Sequence, residues 1–142
     1  MIYIVDNIWP ILLATAAGFG FGALWYGLFG KPWMRAAVVD ERTVRDAPKA
    51  IYAAAFAFEF WIACILAGAI ILAPPEAGAW TMAIGSAVVI WIGFVAPTIL
   101  VNQRYAMRPF AQTAIDAGHW LGVFVVQVVV MQSWGLTPPA SV

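Results

Sequence analysis

Residues 50–72 read AIYAAAFAFEFWIACILAGAIIL, an apolar run whose one charged member is Glu59. A helix of this length crosses the ~30 Å hydrocarbon core of a bilayer at ~1.5 Å per residue. Three further runs of similar length and composition lie near residues 8–29, 80–101 and 113–134. The four runs predict an all-α membrane protein with four transmembrane helices.

The overall composition also indicates a lipid environment. Of the 142 residues, 64% are hydrophobic and 10% are charged, whereas about 25% of the residues of a water-soluble domain are charged. The length fits a single domain, residues 1–142. Residues 1–10 lack the basic residues of a secretory signal, so we expect residues 8–29 to be a retained helix.

The positively charged residues predict the orientation of the helices. All seven lie in two segments between the apolar runs, residues 30–49 and 102–112. Because the basic residues of short loops stay in the cytoplasm, we expect both segments to be cytoplasmic loops. The four helices then form an antiparallel bundle with both termini on the exterior side. The cations are Lys31, Arg35, Arg42, Arg45, Lys49, Arg104 and Arg108.

The composition argues against several functional classes. The net charge is zero and the first basic segment also contains Asp40, Glu41 and Asp46, so it fits lipid headgroups better than nucleic acid. Cys64 is the only cysteine, which excludes an intrachain disulfide or a thiol-based metal cluster. The sequence has no glycine-rich phosphate loop and no credible Ser/His/Asp triad. We therefore expect no catalytic residue, no metal and no cofactor.

Local signals predict where the helices begin and end. Asn7 would cap the first helix, Gly30 would end it, and Pro97 would kink the third helix. Thr113 and Asp116 match a capping box, in which a hydroxyl and an acid satisfy free backbone N–H groups. We therefore expect the fourth helix to begin at Thr113.

Small residues recur every four positions on three of the helices, and such rows allow helix backbones to approach closely in lipid. They indicate that the helices pack without indicating which pairs. They also suggest more contact surface than one monomer needs, so we expect a homo-oligomer, a dimer. The rows are Gly18 with Gly22, then Ala55, Ala63 and Ala67 on the row of Glu59, and Ala114, Gly118 and Gly122.

Glu59 is the most unusual residue, because it lies about 13 Å into the second helix among aromatic residues. An ionised carboxylate at that depth costs several kcal/mol unless it is paired. Glu59 is therefore either a proton or cation site or a neutral acid that joins two helices. His119, the only histidine, would lie at a similar depth, and Asp116 precedes it by one turn on the same face. Together the three side chains could relay protons or hold a divalent cation.

Structural roles for the same residues are also open. Asp116 could be a helix cap or the partner of Arg104, and His119 could be a hydrogen-bonded core residue. Arg104 and Asn102 would lie at the cytoplasmic end of the third helix, and the long side chain of Arg104 could also reach Glu59. These five residues form the candidate polar site.

Two stretches of the sequence resemble signatures of a bacterial family of small four-helix membrane proteins whose function is unknown. They are ALWYGLFGKPWM at residues 23–34 and AIDAGHW at residues 114–120. The resemblance covers nearly the whole chain and implies a fold and a location in the bacterial cytoplasmic (inner) membrane, without an activity. By resemblance, the signature positions are Trp25, Tyr26, Lys31, Trp33, Asn102, Asp116 and His119, nearly all at the cytoplasmic interface.

Three functional hypotheses follow, all with the lipid bilayer as the surroundings. The first is a small transport or channel-like protein for protons or a small cation, in which Glu59 and His119 titrate and Asp116 and Arg104 tune them. The second is a non-catalytic structural or accessory subunit of a larger membrane complex, in which the same residues join helices. A membrane enzyme or a metal-binding protein is the third and least favoured hypothesis.

Overall fold

The computed structural model describes residues 2–139 and contains no strand within that range. Met1 and residues 140–142 of the predicted domain lie outside it. Four helices are long and apolar enough to cross a membrane, which confirms the prediction of an all-helical chain with four candidate spans. We name them the first to fourth spans: Ile8–Ala37, Ala50–Leu72, Ala79–Tyr105 and Phe110–Trp134.

Three short helical segments precede or connect the spans. An α-helix, Ile2–Asp6, precedes the first span. A second short α-helix, Glu41–Arg45, lies between the first and second spans, and we name it the loop helix. A 3₁₀ turn, Pro75–Ala77, connects the second and third spans.

The third span changes its helical pitch near its middle. It is α-helical over Ala79–Ile90, π-helical over Trp91–Val95 and α-helical again over Ala96–Tyr105. Pro97 lies in the first turn of the last segment. Because proline has no N–H, the carbonyl four residues earlier loses its α-helical donor, and the π turn lies immediately before the position where the sequence predicts a kink.

The first span is longer than predicted. The sequence predicts that Gly30 ends this helix, but the helix continues to Ala37. It ends where Val38 adopts the left-handed conformation, with a φ of 57°. The additional turns carry Trp33 to the fourth span, where its indole donates a hydrogen bond to Asp116. This tertiary contact, which no local sequence signal reveals, accompanies the extension of the helix.

The fourth span begins earlier than predicted. Its first helical residue is Phe110, directly after Pro109. The predicted capping box of Thr113 and Asp116 is therefore wrong, because both residues lie inside the helix. The hydroxyl of Thr113 instead donates to Oε1 of Gln103 on the third span, at 2.7 Å.

Hydrogen bonds between distant segments hold each end of the spans together. Asn7 occupies the predicted N-cap position, but its side chain makes no capping bond. Its Nδ2 donates to the carbonyls of Tyr3 and Thr137 at 2.8 and 2.9 Å, and its Oδ1 accepts from the N–H of Thr137 at 2.8 Å. At the other end of the first span, Arg108 donates to the carbonyl of Ala37 at 3.3 Å. Asn7 and Thr137 thus meet before the first span, and Arg108 and Ala37 meet at its other end.

Glycines bring the first and fourth spans into close contact. A Cβ added at Gly22 would lie 2.8 Å from Nε2 of His119, and one added at Gly122 would overlap the ring of Phe21. Each helix therefore receives a large side chain of the other at a position without a side chain. The buried apolar core extends from this contact towards the chain ends and includes Ile11, Ala14, Ala63, Leu66, Val128 and Met131.

Candidate functional site

Asp116 lies at the centre of a hydrogen-bonded group that we name the acid cluster, formed by Asp116, Tyr26, Trp33 and Gln103. Its Oδ1 accepts from the indole N–H of Trp33 at 2.8 Å and from the hydroxyl of Tyr26 at 3.1 Å. Its Oδ2 accepts from Nε2 of Gln103 at 2.6 Å. Because hydrogen bonds to a charged acceptor are stronger than neutral ones, these donors stabilise the carboxylate without a cation.

Arg104 does not pair with Asp116, which corrects that prediction. Its Nη2 donates to the hydroxyl of Thr113 at 2.8 Å and to the carbonyl of Arg108. Gln103 occupies the position that faces Asp116, and successive residues of a helix point about 100° apart. Arg104 is thus joined to the acid cluster indirectly, because the hydroxyl of Thr113 also donates to Gln103.

Three indole N–H groups converge on one turn of the fourth span. Trp25 and Trp91 donate to the backbone carbonyls on either side of Asp116, at 3.2 and 2.9 Å, and Trp33 donates to the carboxylate between them. Each backbone carbonyl has two lone pairs, so it can accept an indole N–H in addition to its helical bond. The first and third spans therefore hold the AIDAGHW stretch in a defined position.

His119 lies one turn beyond Asp116 and is 7% exposed. Its ring contacts the ring of Tyr26, with centroids 5.0 Å apart, and that of Trp120, with centroids 5.2 Å apart. Its Nε2 faces Gly22, and its Nδ1 has no hydrogen-bond partner among residues 2–139. The imidazole thus has an unused nitrogen next to the acid cluster.

Glu59 is 3% exposed, and its Oε2 lies 3.0 Å from the position of a Cβ at Gly18. Within the described chain, Oε2 has no hydrogen-bond partner and no ion pair includes Glu59. Gln127 is fully buried against the same glycine, and its Nε2 donates to the backbone carbonyl of Glu59 at 3.1 Å. The Oε1 of Gln127 also lacks a donor in this part of the chain. A protonated Glu59 has a hydrogen to donate, so the neutral acid suits these surroundings better than the carboxylate.

The structure brings the predicted groups to one face of the first span. Glu59 lies at Gly18, His119 lies at Gly22, and Tyr26, which contacts both His119 and Asp116, is one turn further along. Each of these steps is four residues, or ~6 Å along the helix axis. The groups thus extend from the middle of the spans to the end where the basic segments meet. We name them the polar row: Gln127, Glu59, His119, Tyr26 and Asp116.

The polar row is linear and does not form a compact ligand set. Among residues 2–139, no three His, Cys, Asp or Glu side chains lie close enough together to hold a metal ion. Glu59, His119 and Asp116 therefore follow one another along one face of the first span, and this arrangement of one titratable side chain after another suits the movement of a proton.

The site residues in the structure differ in part from those that the sequence predicts. The signature residues Lys31 and Asn102 are exposed and lie outside the polar row. Gln103 and Trp91 belong to the site but were not predicted as site residues. Gln103 is adjacent to Asn102 in the polar end of the third span, which is a weak signal. Trp91 lies in an apolar run, where an indole that donates to a carbonyl cannot be told from one that contacts lipid.

Comparison with known proteins gives a family and no activity. The model of the family described as "Protein of unknown function (DUF1761)" matches residues 9–132. No curated protein and no solved structure matches the chain. The match includes most of every span and the whole polar row. The chain therefore belongs to the DUF1761 family, and its four long apolar helices indicate a multi-pass membrane protein in a lipid bilayer.

Proposed function

We propose that this protein transfers protons within the membrane through the polar row, with Glu59 as its central proton site. The observation that carries the proposal is the buried Oε2 of Glu59, which lacks a donor and a cation among the described residues. A carboxylate in such surroundings costs several kcal/mol. The side chain is therefore neutral at rest and can release its proton only to an acceptor that reaches it.

The remaining members of the polar row supply such acceptors. The Nδ1 of His119, which has no hydrogen-bond partner in the described part of the chain, can take up and release a proton, and the imidazole ring contacts Tyr26. Asp116, which Tyr26 contacts in turn, belongs to the acid cluster at the end of the first span where Arg108 meets Ala37. A proton entering at the acid cluster would reach Glu59 through His119.

Protons fit the row better than metal cations do. A proton needs a single basic atom at each position, whereas Ca²⁺ needs about six to eight oxygen ligands and Mg²⁺ about six. Beside Gly18 the structure offers one carboxyl group and one side-chain amide, those of Glu59 and Gln127. We therefore assign the row to protons within the broader class of small-cation transport.

We further propose an antiparallel bundle in the bacterial cytoplasmic membrane, with the basic segments inside and both termini outside. The hydrogen bonds from Asn7 to Thr137 and from Arg108 to Ala37 support this arrangement, because they join the chain ends at one end of the spans and the basic segments at the other. The excess of Lys and Arg favours the cytoplasm for the basic end. The resemblance to a bacterial family favours the inner membrane.

Proton flux into liposomes tests the proposed function. The purified protein would be reconstituted, a potassium gradient with valinomycin would set the membrane potential, and an enclosed pH-sensitive dye would report the flux. We expect flux above that of protein-free liposomes and a loss of about tenfold or more in Glu59→Gln, which keeps the shape but carries no exchangeable acid proton. The matched control is Glu76→Gln in the exposed turn between the second and third spans, which should conduct as the parent does.

Two results would contradict proton transfer. One is a parent flux equal to the leak of empty liposomes in both orientations of the potential. The other is an unchanged flux in Glu59→Gln. Infrared difference spectra provide a second measurement, since the carbonyl stretch of a protonated, buried carboxylic acid should be present in the parent and absent from Glu59→Gln.

The exposed third span favours a second candidate function, that of an accessory subunit or a homodimer. In an 18-residue apolar stretch of this span 6% of the residues are buried, compared with 28–33% in the corresponding stretches of the other three spans. Phe94 on this span is 72% exposed and Ile92 is 59% exposed. A second copy or a larger complex would cover this face. Crosslinking of the variants Ile92→Cys, Phe94→Cys and Leu24→Cys in native membranes tests this. A crosslinked product from the first two variants and not from Leu24→Cys, on the first span, would support a protein partner. Equal labelling of all three cysteines by a lipid-soluble thiol reagent would oppose it.

A further inference from the structure

We propose that the cavity beneath the loop helix binds an anionic phospholipid, with an acyl chain inside the cavity and the phosphate at Lys31 and Arg35. This inference does not depend on proton transfer. It concerns the basic end of the molecule, where the end of the first span, the loop helix and the start of the second span surround a cavity. Tyr26 is the one member of the polar row in its wall.

The cavity has the size and lining of an apolar ligand site. Its volume is about 530 Å³, within the ~300–1,000 Å³ range of small-molecule sites. Aromatic and aliphatic side chains form nearly all of its wall. Those that matter for the argument are Tyr26, Trp33, Met34, Val44, Ile51 and Tyr52. An acyl chain fits such a wall, whereas a polar ligand would lose its hydrogen bonds to water without replacement.

The loop helix covers the cavity as an amphipathic helix would at headgroup depth. Val44 and Thr43 face the cavity, while the side chains of Arg42 and Arg45 are 82% and 73% exposed and pair with Asp46. Tyr and Trp side chains of the cavity wall are the types that favour the boundary between headgroups and acyl chains. The cavity therefore lies where a phospholipid places its glycerol and the first part of its chains.

The rim of the cavity supplies the positive charge. Lys31 and Arg35 lie one turn apart on the first span, both are exposed, and neither joins an ion pair within residues 2–139. They line grooves that share Met34 and Val39 with the cavity, so the charged and apolar surfaces are continuous. Asp40 lies in both grooves and Glu41 in the one that contains Lys31; the carboxylate of Asp40 accepts the N–H of Thr43 at 2.7 Å. Lys31 and Arg35 are therefore the two cations that a phosphate at the rim would contact.

An anionic lipid explains the cavity better than a second protein chain does. A protein side chain that entered from the cytoplasm would have to pass the charged rim, whereas a lipid enters laterally with its charge already at the rim. Lys and Arg are also the residues that attract anionic headgroups on the cytoplasmic leaflet.

Native mass spectrometry of the detergent-solubilised full chain tests the proposal. The probes are phosphatidylglycerol and phosphatidylcholine with identical acyl chains. We expect the parent to bind one phosphatidylglycerol with a preference of about tenfold or more over phosphatidylcholine. The double variant Lys31→Gln/Arg35→Gln should bind both lipids about equally.

Ala47→Phe tests the cavity itself, because Ala47 forms part of its wall and the larger side chain would fill it. We expect the bound phosphatidylglycerol to fall by about tenfold, as an occupied site excludes the chain. Ala106→Phe is the matched control: it places the same residue at the basic end, at an exposed position outside the cavity. Glu59→Gln should bind lipid as the parent does, so failure of the proton proposal leaves this one intact.

Either of two outcomes would overturn the lipid site. One is equal binding of the two lipids by the parent. The other is equal binding of phosphatidylglycerol by Ala47→Phe and Ala106→Phe, both with the helix content of the parent by circular dichroism. If Ala47→Phe does not fold, Val44→Phe serves as the second filling variant, because Val44 faces the same cavity from the loop helix.

Discussion

The missing side chain of Gly22 provides the space for the imidazole of His119: a Cβ at Gly22 would lie 2.8 Å from Nε2. At that distance one of the two groups must move. Four residues earlier, Gly18 has the same relationship to Glu59, whose Oε2 would lie 3.0 Å from a Cβ. The glycines of the first span therefore make room for the titratable side chains of the second and fourth spans.

Gly22→Ala should destabilise the protein by about 1–3 kcal/mol, because the added methyl group displaces the buried imidazole. The control is Gly20→Ala on the same helix, where a Cβ would meet no atom within 4 Å. The control should match the parent or gain slightly in stability, since alanine favours a helix over glycine. Unfolding in mixed micelles, followed by tryptophan fluorescence, measures both changes. Equal stability of the two variants would contradict the close packing of Gly22 and His119.

Asp116→Asn should destabilise the acid cluster by about 1–3 kcal/mol. An asparagine amide can still accept the hydrogen bonds of Trp33 and Tyr26, but its N–H₂ would then face the N–H₂ of Gln103. Gln103→Glu in the same chain should restore part of the loss, because the new carboxylate accepts from the asparagine. The unfolding free energies of the two single variants and the double variant form a double-mutant cycle. A coupling energy of zero would show that the two side chains do not interact.

Val38→Gly should stabilise the protein by about 1 kcal/mol. Val38 has a φ of 57°. This left-handed backbone conformation is strained for a β-branched residue and unstrained for glycine. The side chain of Val38 is 89% exposed, so its removal eliminates few packing contacts. Val39→Gly is the control, because Val39 does not have a positive φ. Thermal unfolding compares them; a lower midpoint for Val38→Gly than for Val39→Gly would contradict the prediction.

Asn7→Ala should release the segment after the fourth span, because Asn7 both donates to and accepts from the backbone of Thr137. Loss of these part-buried hydrogen bonds should cost about 1–3 kcal/mol. Hydrogen exchange at the amide of Thr137 should become faster, while exchange in the fourth span should change little. Unaltered protection at Thr137 would show that Asn7 does not hold this segment.

The stability of the loop helix should fall in strong acid. The N–H of Thr43 donates to the carboxylate of Asp40 at the helix N-terminus and lowers the pKa of that carboxyl group below its usual range. A lowered folded-state pKa stabilises the folded form above the unfolded-state pKa of about 3.9. The contribution is lost as the pH falls through the lower, folded-state value. The amide resonance of Thr43 should follow this titration, and Asp40→Asn, which caps without ionising, should abolish the pH dependence. A midpoint at or above the usual value for Asp would contradict the assignment.

The apolar runs predicted the four spans, but the end of the first span and the start of the fourth differ from the predicted positions. Gly30 and Thr113 carry the local signals of a helix end and a helix start, but the structure continues the helix past Gly30 and begins the next before Thr113. In both places a tertiary hydrogen bond outweighs the local signal: Trp33 reaches Asp116, and the hydroxyl of Thr113 reaches Gln103. Local signals describe only neighbours along the chain and cannot include these contacts.

The candidate site shows the same difference between what the sequence signals and what tertiary contacts decide. Glu59, His119 and Asp116 stand out in the sequence because titratable groups are costly in lipid wherever they point. Their surroundings do not follow from that cost. By charge, Arg104 is the expected partner of Asp116, but Gln103 occupies the facing position on the third span.

The sequence by itself determined that the chain is helical, that four of its segments suit a bilayer and that its cations gather in two segments. Hydrophobicity and charge act residue by residue, so these properties can be read without knowing any contact. Only the tertiary structure decided that Gly18 and Gly22 face Glu59 and His119, and that three tryptophans hold the turn around Asp116. Such contacts depend on the rotation and depth of each helix against its neighbours. In lipid these are set by close packing and hydrogen bonding between helices, which no single segment encodes.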